Sequence, residues 1–230
     1  MIRKSKAKSS FKYQKGWKNL EVKISKELRD IIHGYVMSDG YIRNGILTVD
    51  QAFKQKLFVE WLYFKFQPIR TQKAIQECSR VHPQTQKTSR SLRFWTQALL
   101  HGFHNMWYEP YVNSSGVTKF RKKLPKSLPC FFNSTFITLW YAGDGTKTRG
   151  FVGAKFEVTA LTVEERLLLK DLFLKKYGIS VQILTAGISK KGKVQWVLKI
   201  SAQDYPKFRS LITQMDLIPK IFPYKLHKKV

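Results

Sequence analysis

IIHGYVMSDGYI, residues 31–42, joins the end of an apolar helical face to an acid, a glycine and the start of a strand. From Ser25 onward, Leu28, Ile31, Ile32, Tyr35 and Val36 recur at i, i+3, i+4, i+7 and i+8, one face of a helix that Gly40 stops. ITLWYAGDGTK, residues 137–147, repeats the design 105 positions later. An acid at a helix C-terminus faces the negative end of the helix dipole, unfavourable by about 0.3–1 kcal/mol. A chain that places Asp39 and Asp144 there needs something to offset that penalty.

Outward from the first motif, YIRNGILTVDQ carries an Asn44-Gly45 turn between two β-rich runs, a hairpin signature. A helix fits FKQKLFVEWLYFKF, two more strands fit TQKAIQECSRV and KTSRSLRFWTQA, and a helix fits LLHGFHNMWYE. Residues 24–109 therefore read as one αββαββα unit. Residues 110–132 collect Pro, Gly, Ser and Lys and read as a linker. From 133 to 230 the same order restarts with a helix at 133–143, and Pro206 falls in the first turn of its last helix. The expected fold is α+β: a duplicated unit with two antiparallel sheets forming a saddle around a two-helix interface.

The 230 residues are 43% hydrophobic and 14% aromatic, enough to fill a core. Lys and Arg number 42 against 15 Asp and Glu, a formal net charge of +27, which a compact surface tolerates best against a polyanion. No apolar run is long enough to span a bilayer, so no membrane partner is expected. Residues 1–23 read as a basic arm rather than a secretory signal. Cys78 and Cys130 form no CxxC pair, and a reducing, intracellular setting fits them. Basic residues concentrate on the strands: Arg43, Lys73, Arg80, Arg90 and Arg93, then Lys147, Arg149, Lys155, Lys193 and Lys199. With Asn44 and Gln51 they are the expected DNA-binding set, because strands with one apolar and one polar face pack on one side and offer donors on the other.

If the duplicated helices pack side by side across a pseudo-twofold axis, Asp39 and Asp144 meet at the foot of their interface. Two carboxylates at two negative helix ends repel, an arrangement best sustained by a divalent cation. Oxygen ligands without clustered Cys or His point to Mg²⁺ rather than zinc. Such ions at the centre of a basic, twofold surface suggest phosphodiester hydrolysis. One Asp-Gly alone is ordinarily a turn; two in equivalent places favour the metal. His101-x-x-His104 shares a helical face without a third ligand nearby, and Glu21-Val-Lys23 is a bare ExK.

IHGYVMSDG (32–40) and ITLWYAGDG (137–145) resemble the two motifs of single-chain LAGLIDADG homing endonucleases, and DLIPKIFPYKLHKK (216–229) is similar to the lysine-bearing C-terminal segment of monomeric members. The resemblance covers nearly the whole chain in element order. It implies a monomeric, intron-encoded nuclease that cuts both strands of double-stranded DNA across a minor groove. Asp39 and Asp144, with Ser38 and Gly143 before them, would form the metal site for Mg²⁺, with Mn²⁺ as a substitute. Lys225, and Lys122 or Lys123, would stand near the scissile phosphates. Where other members place a polar side chain near the metal this chain has Ala52 and Ala160, with Gln51 or Thr159 as substitutes. Small residues usual in the second and third places of the motif are replaced by His33-Gly34 and Thr138-Leu139, so Leu139 is expected to fill the space that Gly34 leaves. The resemblance also suggests a mitochondrion or chloroplast as host compartment. Two other readings share the fold, a maturase that binds intron RNA and a DNA-binding protein without chemistry; the intact acid pair favours the nuclease.

Overall fold

The computed structural model describes residues 24–190 and 192–227; the expected arm over 1–23 lies outside them. Helix α1 (Lys26–Met37) starts at Ser25, whose side chain accepts from the Leu28 amide. It leads into strands β1 (Tyr41–Arg43) and β2 (Ile46–Ala52), helix α2 (Lys56–Lys65), strands β3 (Gln76–Val81) and β4 (Thr88–Trp95) and helix α3 (His101–Trp107). The second half repeats the order with α5 (Ser134–Asp144), β7 (Gly145–Lys147), β8 (Ala154–Glu157), α6 (Val163–Tyr177), β9 (Val181–Ile188), β10 (Val194–Ile200) and α7 (Tyr205–Ile212), then adds α8 (Leu217–Ile221). The αββαββα duplication is as expected.

The two sheets are antiparallel with matching orders, β1-β2-β4-β3 and β7-β8-β10-β9. The innermost strand of each leaves a motif helix, so α1 and α5 hang both sheets from one central pair. Their fit is tight: a Cβ on Gly34 would lie 2.6 Å from the Phe136 carbonyl oxygen and 2.7 Å from the Leu139 Cβ. Leu139 therefore occupies the space that Gly34 leaves, as the motif departures predict. At the foot, a Cβ on Gly143 would lie 2.5 Å from the Ser38 Cβ. Neither position admits a side chain at this helix separation.

Strand alternation turns Ile42, Leu47, Val49, Leu92 and Phe94 into the first core and Ala154, Phe156, Leu198 and Ile200 into the second. His33, in the place of a small residue, is buried and stacks on Phe131 with ring centroids 3.8 Å apart. It accepts a hydrogen bond from Trp107 Nε1–H (2.9 Å), and burial pushes its pKa down to about 4.

The segment 110–132, expected as an irregular linker, connects the halves with structure of its own. Strands β5 (Tyr108–Val112) and β6 (Thr118–Lys122) form a two-stranded ribbon and α4 (Leu128–Phe131) follows. The Asn113 side chain accepts from the Ser115 and Val117 amides, and Gly116 takes φ 72°, so the Ser-Gly cluster is a hairpin turn. Three basic residues expected on strands lie beside them: Lys73, Arg149 and Lys193 stand in the connections flanking β3, β7 and β10. Turn chemistry overrode the polar alternation there.

Candidate active site and nucleic-acid interface

Both motif helices end on the same face. Ser38 leaves helical geometry and turns its hydroxyl back to the Tyr35 carbonyl (3.2 Å), presenting Asp39 in the open. Asp144 is the last residue of α5 and is partly enclosed. A Cβ on Gly143 would lie 2.8 Å from Asp39 Oδ2, so the acid of one motif packs against the glycine preceding the acid of the other.

The offset that the acids require is two lysines. Lys122 Nζ donates to the carbonyls of Val36 (2.5 Å), Ser38 (3.0 Å) and Gly40 (3.3 Å) at the end of α1. Lys225 Nζ donates to Tyr141 (3.0 Å), Ala142 (2.7 Å), Gly143 (3.2 Å) and Gly145 (2.6 Å) at the end of α5. Each ammonium satisfies orphan helix carbonyls and places a positive charge at the negative dipole end. Lys123, the alternative to Lys122, instead faces Glu109 at 3.9 Å.

The electrostatics remain unbalanced toward the acids. Burial first, then the Asp39 charge, raises Asp144 from its ordinary 3.8 to about 7 against the pull of both lysines. Burial lowers Lys225 to about 8 and lowers Lys122 as well, while both acids pull the other way. A carboxyl pushed up first by burial and then by a neighbouring carboxylate is one that a bound cation would stabilise in its charged form.

Gln51 fills the polar role that Ala52 leaves vacant: its Nε2 donates to Asp39 Oδ2 (3.0 Å) and to the buried Tyr35 hydroxyl (3.2 Å). Among the described residues of the second half Asp144 has no such partner. Tyr41 pairs with Thr48 and Thr146 with Lys155, so the buried Val158 takes the place of Gln51. Thr159 accepts from the Trp196 amide instead (2.8 Å). An open cleft of about 390 Å³ joins Ser38, Lys122 and Asp144 to Glu157 and Lys193. Glu157, brought in by strand register, and the hydroxyl of Tyr35, read from the sequence only as part of an apolar helix face, are site neighbours that sequence reading missed.

Among the described residues no three His, Cys, Asp or Glu side chains converge. His104 stacks on Tyr108 (5.1 Å) and His101 rests against Gly45. The oxygen donors at the site are two carboxylates and the Ser38 and Gly143 carbonyls, each of which keeps a lone pair beyond its lysine bond. This set fits a hard divalent cation that completes its shell with water and phosphate oxygens, not a zinc ion.

The LAGLIDADG DNA endonuclease family matches residues 29–208, spanning both motifs and both sheets. The chain belongs to that family. Among solved structures it is similar to the homing endonuclease I-WcaI bound to its DNA recognition sequence, at 17% identity and a TM-score of 0.69 over 90% of this chain and 88% of that one. It is also similar to mesophilic variants of the homing endonuclease I-DmoI, at 15% identity and a TM-score of 0.51 over 82% and 96% of the two chains. No curated protein matches it in sequence.

On the solvent faces of the sheets, this LAGLIDADG chain arranges its basic residues unevenly. In the first half Arg93 and Arg80 (3.3 Å) both pair with Asp50, and Arg90 pairs with Glu77. Burial alone would raise Asp50, but hydrogen bonds from Arg93 and Ser91 and the Arg93 and Arg80 charges hold it below its usual range. Arg43 and Asn44 are exposed at the β1–β2 turn, and Lys73 is exposed before β3. In the second half an open cleft of about 610 Å³ is lined by Lys147, Arg149, Lys155 and Lys199, none of which pairs with an acid among the described residues. Lys199 Nζ lies 4.4 Å from the Phe151 ring.

Proposed function

We propose that this LAGLIDADG endonuclease is an intron-encoded homing enzyme that acts as a monomer and makes Mg²⁺-dependent double-strand breaks in a long duplex target. One observation carries the reading: two duplicated helix ends bring Asp39 and Asp144 together, each end held by a lysine, between two basic sheets. A DNA-binding protein without chemistry has no use for an acid pair that repels both itself and phosphate.

Asp39 and Asp144 would hold the cation, with the Ser38 and Gly143 carbonyls beside them. When bound, it supplies Lewis-acid activation of phosphodiester and water. Gln51 fixes the orientation of the Asp39 carboxylate. Lys122 and Lys225 hold protons at Nζ next to the acids and counter the charge of a scissile phosphate, and with pKa near 8 Lys225 sits close to the range where a proton can be passed. Mn²⁺, also a hard oxygen-seeking ion, serves in place of Mg²⁺.

The test uses a duplex that the wild-type protein recovers in chelator from a random-sequence pool. Addition of Mg²⁺ or Mn²⁺ cuts both strands. Asp39→Asn and Asp144→Asn each keep the shape but weaken a cation ligand, so cleavage falls by orders of magnitude while binding in chelator persists. If both single variants cut at the parent rate, the acids are turn formers and the enzyme reading fails.

A further inference from the structure

The ribbon β5–β6 is an extension that the duplication does not explain. In the second half, the segment that leads to Lys225 is helix α8 packed on the core, with Leu217 and Ile218 buried. In the first half, the segment that leads to the equivalent Lys122 leaves the core entirely. From Pro110 to Arg121 every residue but Asn113 is exposed, including Tyr111, Val112, Val117 and Phe120. An isolated two-stranded ribbon is marginal in water, so this one is short of a partner.

Its base fixes its position. Trp107 donates to His33 midway along α1, whereas the hydroxyl oxygen of the next residue, Tyr108, accepts from the Ile42 amide in β1 (3.2 Å). Across the ribbon from Tyr108, Lys122 grips the end of α1 at the candidate site. The base of the ribbon is thus anchored at β1 and the end of α1, and from there both strands leave the core. Four more residues at about 3.3 Å each carry the turn at 113–117 roughly 13 Å farther. One face presents Lys119 and Arg121 beside Tyr111; Lys119 pairs with no acid among the described residues, whereas Arg121 is held by Glu109 across the ribbon and must leave it to reach a phosphate.

We propose that this ribbon is a third DNA-binding element, lying along the phosphate backbone on one wall of the groove at the cleavage site, with Lys119 and Arg121 on phosphates and Tyr111 against sugar. A ribbon is wider than the roughly 6 Å minor groove, so it grips an edge and does not enter. The inference rests on the reading that the chain binds duplex DNA. Lacking a counterpart in the second half, the ribbon makes the protein's hold on DNA one-sided.

Binding to the pool-selected duplex is measured in chelator against salt for the parent, for Lys119→Gln with Arg121→Gln, and for a control, Lys175→Gln with Lys220→Gln, which removes equal charge from α6 and α8. All four residues are exposed, and unchanged melting temperatures confirm the fold. The ribbon variant is expected to flatten the log–log salt slope by about 0.9 to 1.8, one or two phosphates. It should also lose hydroxyl-radical protection on one side of the cleavage position only, while the control changes neither. A ribbon variant that matches the control in slope and footprint overturns the ribbon's role and leaves the endonuclease reading intact. A parent whose binding to duplex ignores salt overturns both.

Discussion

Asp144 shows how a residue that the proposed function needs can be destabilising for the fold. Burial and Asp39 raise its pKa from 3.8 to about 7, so between those values the folded chain keeps a proton that the unfolded chain has released. More protons bound in the folded state means that stability falls as pH rises through this window, by at most about 1.4 kcal/mol per pH unit. His33 acts in the opposite sense: its folded pKa of about 4 lies below the ordinary 6.5, so its contribution is present above 6.5 and is lost as pH falls toward 4. The two slopes oppose each other, and the clean observable is a difference. In chelator, Asp144→Asn minus parent stability should be near zero at pH 4 and grow steadily to pH 7, since His33 is common to both. Denaturant melts at four pH values measure this; a difference that stays flat would mean that Asp144 carries no such strain. Lys225 does not confound it, because burial lowers it only to about 8, above the window.

At the scale of elements, the spacing of α1 and α5 is set by backbone, not by side-chain choice. A Cβ on Gly34 would meet the Phe136 carbonyl oxygen at 2.6 Å, so even Gly34→Ala forces the helices apart. Overpacking of this kind costs about 1–3 kcal/mol, and the same separation moves Asp39 away from Gly143 and Asp144. Gly34→Ala is expected to lower both melting temperature and cleavage, whereas Gly102→Ala, whose Cβ meets nothing within 4 Å in α3, should raise stability by roughly 0.5–1 kcal/mol. Equal and harmless effects at the two glycines would remove the close-approach account. The Gly34–Leu139 fit was legible in the sequence because the two motifs could be laid side by side. The ribbon was not, since Pro110 and the run Arg121 to Lys123 imitate a linker and only the Asn113 turn betrays a hairpin. Nor was the capping role of the lysines: Lys122 meets Ser38 across 84 positions, a convergence that no local pattern encodes.

For the whole molecule, the duplication made the architecture readable, because helix period, turn residues and strand alternation all recur in the same order. The distribution of charge between the halves was not readable, since it depends on register. Register sets Asp50 opposite Arg93 in the first sheet, a favourable cross-strand pair. In the second sheet it sets Lys155 opposite Lys199, two like charges whose direct opposition destabilises a ladder. A fold that keeps such a pair gains from an anion above it, so under the proposed function the second sheet should depend more on phosphate than the first, whose arginines are already engaged by acids. Lys155→Gln with Lys199→Gln is expected to flatten the log–log salt slope of duplex binding by about 0.9 per phosphate lost, close to two contacts in all. The same variant should melt at a higher temperature when free of DNA, because it relieves the repulsion. Arg80→Gln with Arg90→Gln removes the same charge but should change the slope less, since each arginine must leave Asp50 or Glu77 before it can reach DNA, and it should not raise the melting temperature. Salt titrations and DNA-free melts of the two variants decide the matter: equal slopes with equal melts would mean that the cross-strand pairing has no bearing on how the saddle holds its duplex.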